Sequence, residues 1–210
     1  MKEDAKLIKK AAKEILAPHG VYQKGQSRLW LDDNGWFLTV VEFLPMRGPG
    51  SALNTGVNFL WTPKDYISFD LYERENDFAE YKGNEVKFYK NMRRICGKAL
   101  DKVLYYKKFQ DMTFAKNAIL AYEAPMEAMW GRWDKAMFCF LNGEADLARS
   151  YLDEFSKFQH EHNSWINDFV KAQTELFGPV RHDAEAARQL VLQAIEKQRE
   201  LFRSKKIIRN

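Results

Sequence analysis

The apolar residues of this chain change their spacing once, and no other feature limits the fold as much. Between residues 26 and 74 they recur every second position, and beyond residue 84 every three or four. Alternation marks strands with two differently covered faces, and a period near 3.6 marks helices with one buried stripe. The sequence therefore predicts an α+β protein. An N-terminal helix packs on a four-stranded antiparallel meander, and an all-helical C-terminal half follows. Residues 1–83 would form the helix and sheet, and residues 84–210 a helical extension packed on that sheet as one compact unit.

Residues 4–17 place Ile8, Ala11, Ala12, Ile15 and Leu16 on one helical stripe with lysines opposite, and Pro18-His19-Gly20 stops it. Strands are expected near 26–31, 36–44, 52–61 and 66–74. Asp33-Asn34-Gly35 separates the first two as a hairpin turn, because Asn and Gly tolerate positive φ. In the second strand Phe37, Thr39, Val41 and Phe43 alternate with Trp36, Leu38, Val40 and Leu44, so both faces should be covered. The stretch "RGPGSALNTGVNFLW" raises the question of a phosphate loop. Such a loop needs a following helix and a Lys-Ser/Thr pair. Here Leu53, Thr55, Val57, Phe59 and Trp61 alternate with their neighbours, so the glycines only turn one strand into the next.

The stretch "ENDFAEYKGNE" reads as a polar connection into the helices. The first of these spans 85–106, with Phe88, Met92, Ile95, Ala99 and Val103 on its stripe. Further helices follow from Asp111, from Pro125 to Leu141, after the Asn142-Gly143 cap, from Ser164 and from Asp183. The expected core is Ile15, Phe37, Val41, Phe43, Val57, Phe59, Phe69 and Leu71 around the sheet. Ile95, Ile119, Met137, Leu152, Phe155 and Leu190 complete it in the helices.

Two cysteines, Cys96 and Cys139, lie in helical stretches without a Cys or His at ligand spacing, which suits reduced buried thiols and a cytoplasmic location. No apolar run reaches about 18 residues, so no membrane span is expected. Of the histidines, His160 and His162 are two apart and would point about 200° from each other on a helix, so no metal site is expected. No cofactor is expected either, since no nucleophile elbow or cofactor loop occurs.

Net charge is +4, and it is uneven: −1 over residues 1–83, +5 over 84–124 and zero over 125–210. The surplus lies on one helix, where Lys87, Lys90, Arg94, Lys98 and Lys102 recur on one side. Such a face could meet phosphates or an acidic protein, but a surplus this small reads more simply as a solvated helix face, so nucleic acid is disfavoured. A second candidate is the polar face of the sheet, where Arg28, Glu42, Asn58, Tyr72 and Arg74 could line a shallow ligand pocket. Glu42 interrupts an otherwise apolar strand, and a buried carboxylate needs a partner such as Arg28 or Arg74.

Two short motifs carry a resemblance. Gly20, Val21, Lys24 and Gly25 follow the first helix, and Leu53, Asn54, Gly56 and Val57 lie in the third strand. Over residues 4–80 the chain is similar to an uncharacterised bacterial family with Gly-aromatic-x-Lys-x-Gly and Leu-Asn-x-Gly-Val. Val21 departs from the usual aromatic, and Tyr22 stands in for it. The resemblance implies a helix packed on an antiparallel sheet and no established activity. The stretch "FLNGEADLARSYLDEF" looks like the turn of a tetratricopeptide-type hairpin. No second copy follows at a fixed period, so a single αα-hairpin is expected. Together these readings favour a non-catalytic binding or protein-interaction module, docking on a partner protein or a second copy. The alternative is a small-molecule-binding protein or enzyme with a pocket between sheet and helices.

Overall fold

The computed structural model describes residues 3–73, 77–123 and 128–209. Helix α1 (Glu3–Leu16) leads through a 3-10 turn to strands β1 (Tyr22–Gln23), β2 (Leu29–Asp33), β3 (Phe37–Pro45), β4 (Gly50–Phe59), β5 (Leu71–Glu73) and β6 (Phe78–Glu80). Helices α2 (Glu85–Lys107), α3 (Met112–Ala121), α4 (Ala128–Leu141), α5 (Ala145–Ser156), α6 (Ser164–Phe177) and α7 (Ala184–Ser204) follow. This is the predicted architecture, a helix on an antiparallel sheet and then an all-helical region. The residues group into two compact units. One gathers Met1–Asn58, Asp65–Phe109 and Glu200–Asn210; the other gathers Phe59–Lys64 and Gln110–Arg199.

In the first unit the strands neighbour one another in the order β1-β2-β3-β4-β5, with β6 also paired to β4. Among the described residues six strands therefore stand where four were expected, and the differences lie at the edges. Gln23 pairs with Trp30 in the short β1, so residues 24–28 are a turn, closed by Lys24 N–H on the Leu29 carbonyl at 2.9 Å. The fourth strand shrinks to Leu71–Glu73, and Phe78–Glu80 forms a strand inside the stretch read as a polar connection. The β2–β3 hairpin turns as expected. Gly35 has φ +86°, and Asn34 N–H donates to the Phe37 carbonyl at 3.0 Å.

Paired residues share a face, so the register sorts the side chains. Trp30, Val41, Phe43 and Leu53 lie on one face. They join Ile8, Ala11, Ala12 and Leu16 of α1 and Phe88, Met92, Ile95, Ala99 and Val103 of α2 in one buried cluster. Helix α2 thus packs on α1 and on β3. Leu31, Leu38 and Val40, on the reverse face, are also fully buried, as expected of a strand covered on both sides.

In the second unit α4 packs against α3 and α5, and α5 against α6. Trp133, Met137, Phe138 and Phe140 of α4 are buried. The segment Phe59–Lys64 is anchored here by two indole bonds. Trp61 N–H donates to Asp134 at 2.8 Å, and Trp133 N–H donates to Thr62 Oγ1 at 3.0 Å. Helix α4 ends in a Schellman turn at Gly143, with φ +78° and Glu144 N–H on the Cys139 carbonyl at 2.8 Å. Asp183 caps α7 as predicted, accepting from Glu185 and Ala186. Ser164 does not cap α6; the helix begins on it, after Asn163. The expected helix start at Pro125 lies outside the described residues. Of the expected core, Ile15, Phe69 and Leu190 are only half-buried, and the others are buried.

Candidate functional site

The polar residues expected on the sheet divide between its two faces. Glu42 pairs with Leu29 and Tyr72 with Gly56, which puts both on the reverse face together with Asn54 and Asn58. Glu42 is half-buried in an interior strand and accepts a hydrogen bond from the Asn54 side chain. Burial pushes its carboxyl above the ordinary value, and the Asn54 bond partly opposes this. Arg28, expected as its partner, lies on the other face. Its Nη1 donates to the Gly50 carbonyl at 3.2 Å, and its Nη2 lies 3.8 Å from buried Asp4. Strand alternation explains the correction, because Arg28 and Leu29 must point to opposite faces. Arg74 lies outside the described residues.

Asn58 and Tyr72 are engaged in covering the sheet. Asn58 Oδ1 accepts from Ser68 N–H at 2.9 Å, and the Ser68 hydroxyl donates to Asp70 at 2.6 Å. Asp70 N–H still reaches the Val57 carbonyl at 2.8 Å, but at Ser68 the Asn58 side chain takes the amide, and residues 66–70 form no regular strand. Gly56 makes room for the close approach of Phe69, Leu71 and Tyr72. A Cβ there would stand 2.7 Å from the Leu71 carbonyl oxygen and 2.9 Å from the Phe69 ring. Phe69 and Tyr72 meet edge to face over that spot, with centroids 6.4 Å apart.

The basic helix α2 is largely matched by acids from other elements. Arg94 makes a two-pronged bond to Asp77 at 2.5 and 2.7 Å, and Lys98 reaches the same carboxylate at 2.8 Å. These cations hold Asp77 far below the usual carboxylate range. Arg93 pairs with Glu14 of α1 at 2.7 Å, and Lys107 lies 3.5 Å from Asp32. Lys87 and Lys90 remain exposed, and Lys102 is half-buried. A local surplus along the sequence is therefore used to bind α2 to its neighbours.

Nucleophile and ligand candidates are occupied otherwise. Burial pushes the Cys96 and Cys139 thiols up to about 12, which keeps them protonated and unreactive at neutral pH. His160 accepts from the N–H groups of His162 and Asn163 at 3.1 and 3.2 Å, so it shapes the loop before α6. No group of His, Cys, Asp or Glu able to hold a metal occurs among the described residues, and none of their helices is long and apolar enough to cross a membrane.

Among the described residues, three cavities are each lined without Glu42, Asn58 or Tyr72. One of about 310 Å³ lies among α3, α4 and α5, where Arg132 pairs with Glu154 at 2.6 Å and the Lys135 ammonium lies over Tyr151. A more open groove of about 580 Å³ runs along α6 beside Asn167, Lys171 and Glu175. The third, of about 160 Å³, lies between α1 and the β1–β2 turn.

The feature sequence reasoning missed is the outer edge of α6. Trp165 is 55% exposed and Leu176 is 51% exposed. Eleven residues make three helical turns, so these two stand on one stripe with exposed Ala172 and half-buried Phe169. Trp130 of α4 extends the stripe, with centroids 5.1 Å from Phe169 and 6.3 Å from Trp165. Phe169 in turn touches Trp133 and Phe155, so the stripe is the outer margin of the aromatic core. Asp168 and Glu175, seven residues apart, run along its solvent side. The 11-residue spacing was visible in "WINDFVKAQTELF", but apolar residues at helical spacing read as core.

Comparison with known proteins adds nothing to these observations: no family model, no curated protein and no solved structure matches the chain.

Proposed function

We propose that this protein is a non-catalytic interaction module that docks a basic amphipathic segment of a partner protein along α6. The observation that carries this is the exposed stripe of Trp165, Ala172 and Leu176, supported from beneath by Phe169 and Trp130. Exposed aromatics on a rigid helix, backed by packed rings, are the residues that dominate binding energy at protein interfaces. The chemistry of the partner follows from the flank. Asp168 and Glu175 are exposed carboxylates along one side of the stripe with Lys171 between them, and their net negative charge favours Lys or Arg beside the partner's apolar face. The buried thiols and the loop-forming His160 support a non-catalytic reading, since these groups already serve the fold.

The test uses a dye-labelled amphipathic peptide of leucine and lysine, with a leucine–glutamate peptide of equal length as control. Fluorescence anisotropy is expected to show saturable binding of the basic peptide alone. Trp165→Ala with Leu176→Ala should weaken it by about tenfold or more, as loss of central aromatic anchors does. Both positions are exposed, so the fold should survive. Equal binding of the acidic peptide, or full binding by the double variant, would sink the proposal.

A further inference from the structure

The cavity between α1 and the β1–β2 turn belongs to the first unit and is independent of α6. Lys9, Gln23, Gln26, Arg28 and Trp30 supply its polar lining over a floor that includes Ile8. Its volume of about 160 Å³ is room for about five waters at about 30 Å³ each. A tetrahedral oxyanion, whose five heavy atoms are covalently bonded, is smaller than this and fits together with water.

The hydrogen-bond inventory shows which sign of ligand fits. Gln26 Oε1 already accepts from the Lys9 ammonium at 3.2 Å. The Ser27 carbonyl accepts from Gln23 Nε2 at 2.6 Å, and Ser27 Oγ is used by Lys24 and Leu29. What remains is mostly donors. Lys9 has two further N–H groups, Gln26 has its amide, and Arg28 has the N–H groups not directed at Gly50 or Asp4. Trp30 is only 4% exposed, and its indole N–H donates to no group among the described residues. Asp4 does not line the cavity, and its carboxylate is taken up by Gly50 N–H at 3.2 Å and by Arg28. Two cations against one committed carboxylate leave the site with a net positive charge. Gln23 Oε1 is left as an acceptor, since the amide nitrogen beside it is held by Ser27.

We propose that this cavity binds a protonated phosphate, with Lys9, Arg28 and the Trp30 indole donating to its oxygens and Gln23 Oε1 accepting from its P–OH. Phosphate keeps a proton at neutral pH and sulfate does not, so Gln23 separates two ions that the cations alone would treat alike. The sequence around this turn, Lys24-Gly25-Gln26-Ser27-Arg28, thereby gains a role. Gly25 takes φ +56° and folds the turn so that Gln26 and Arg28 both reach the cavity.

The test follows the Trp30 indole N–H resonance by NMR during titration with inorganic phosphate, at ionic strength fixed with sodium chloride. The expected result is a saturable shift, with weaker binding of sulfate. Lys9→Met should weaken phosphate by about tenfold, the loss of one charge-assisted hydrogen bond, while Lys13→Met on the same helix leaves it unchanged. Arg28 is avoided because it also ties β4 to α1. A melting temperature raised by phosphate in the unsubstituted chain, but not in Lys9→Met, should accompany the shift. A shift reproduced by chloride alone, equal affinity for sulfate, or equal loss in the Lys9 and Lys13 variants would each overturn the assignment.

Discussion

The two faces of the sheet are covered by different means. Against α1 and α2 it presents Trp30, Val41, Phe43 and Leu53, an apolar layer closed by two long helices. On the reverse face the cover includes pieces from distant parts of the chain, each fixed by a few directed contacts. Residues 66–70 hang on Asn58, and Phe69 lies over Gly56. The C-terminal residues arrive with Lys205 on Asp65 at 2.9 Å and the Arg209 guanidinium 4.3 Å from the Tyr22 ring. The first face rests on close-packed apolar area; the second rests on individual bonds and one missing Cβ.

That contrast is sharpest in its largest expected effect. Phe43→Ala should destabilise by about 3–5 kcal/mol, because a fully buried ring is replaced by a cavity. On the reverse face, Asn58→Ala should cost about 1–3 kcal/mol, since Ser68 N–H is left without an acceptor in a half-buried place. Gly56→Ala, which adds atoms, should cost a similar 1–3 kcal/mol or about that, by overpacking against a carbonyl that cannot swing away. Chemical denaturation of the three variants gives all these values. If Gly56→Ala were neutral, the reverse face would be loosely covered and the comparison would fail. Arg209→Ala comes next, at about 0.5–1 kcal/mol for a lost cation–π contact. Amide exchange at Tyr22 should then speed up, while exchange in α2 stays unchanged.

The same contrast explains what could be read from the sequence. The first face was legible because apolar residues at period two and period 3.6 each point to one buried side, so α1, β3, β4 and α2 were found with their stripes. The reverse face was not, because its cover has no period. Nothing local in "YISFDLYER" says that Ser68 will bond the side chain of Asn58 instead of continuing a strand. Alternating Ile67, Phe69 and Leu71 argued the opposite. The short β6 was hidden among charges for a related reason: three residues are too few for alternation to show, and Gly50 makes the close approach to Ala79. Of the candidate site residues, Glu42, Asn58 and Tyr72 share the reverse face. Arg28 was offered as a partner of Glu42 by charge, when parity along β2 places it on the opposite face. The exposed stripe of α6 was missed because periodicity reports a stripe without saying whether another element covers it.

The smallest expected effect concerns Glu42, and there the sign matters more than the size. Burial raises its pKa in the folded chain above the ordinary 4.5. The folded state therefore holds this proton more tightly than the unfolded state. Below the ordinary value both states are protonated, and the residue contributes no pH dependence. As pH rises from there through the folded value, the unfolded chain ionises first and stability falls; the loss is complete once both states are charged. Glu42→Gln keeps an acceptor for Asn54 and removes the charge, so it should not change stability near pH 3.5 but should raise it near pH 7. The gain should stay below about 1 kcal/mol, because water reaches a half-buried carboxylate and screens it. Denaturant midpoints of the two chains at both pH values measure this directly. A variant less stable near pH 7 would mean that a cation stabilises the carboxylate after all. The reverse face would then be held by an ion pair at its centre, and not by the Asn54 bond alone.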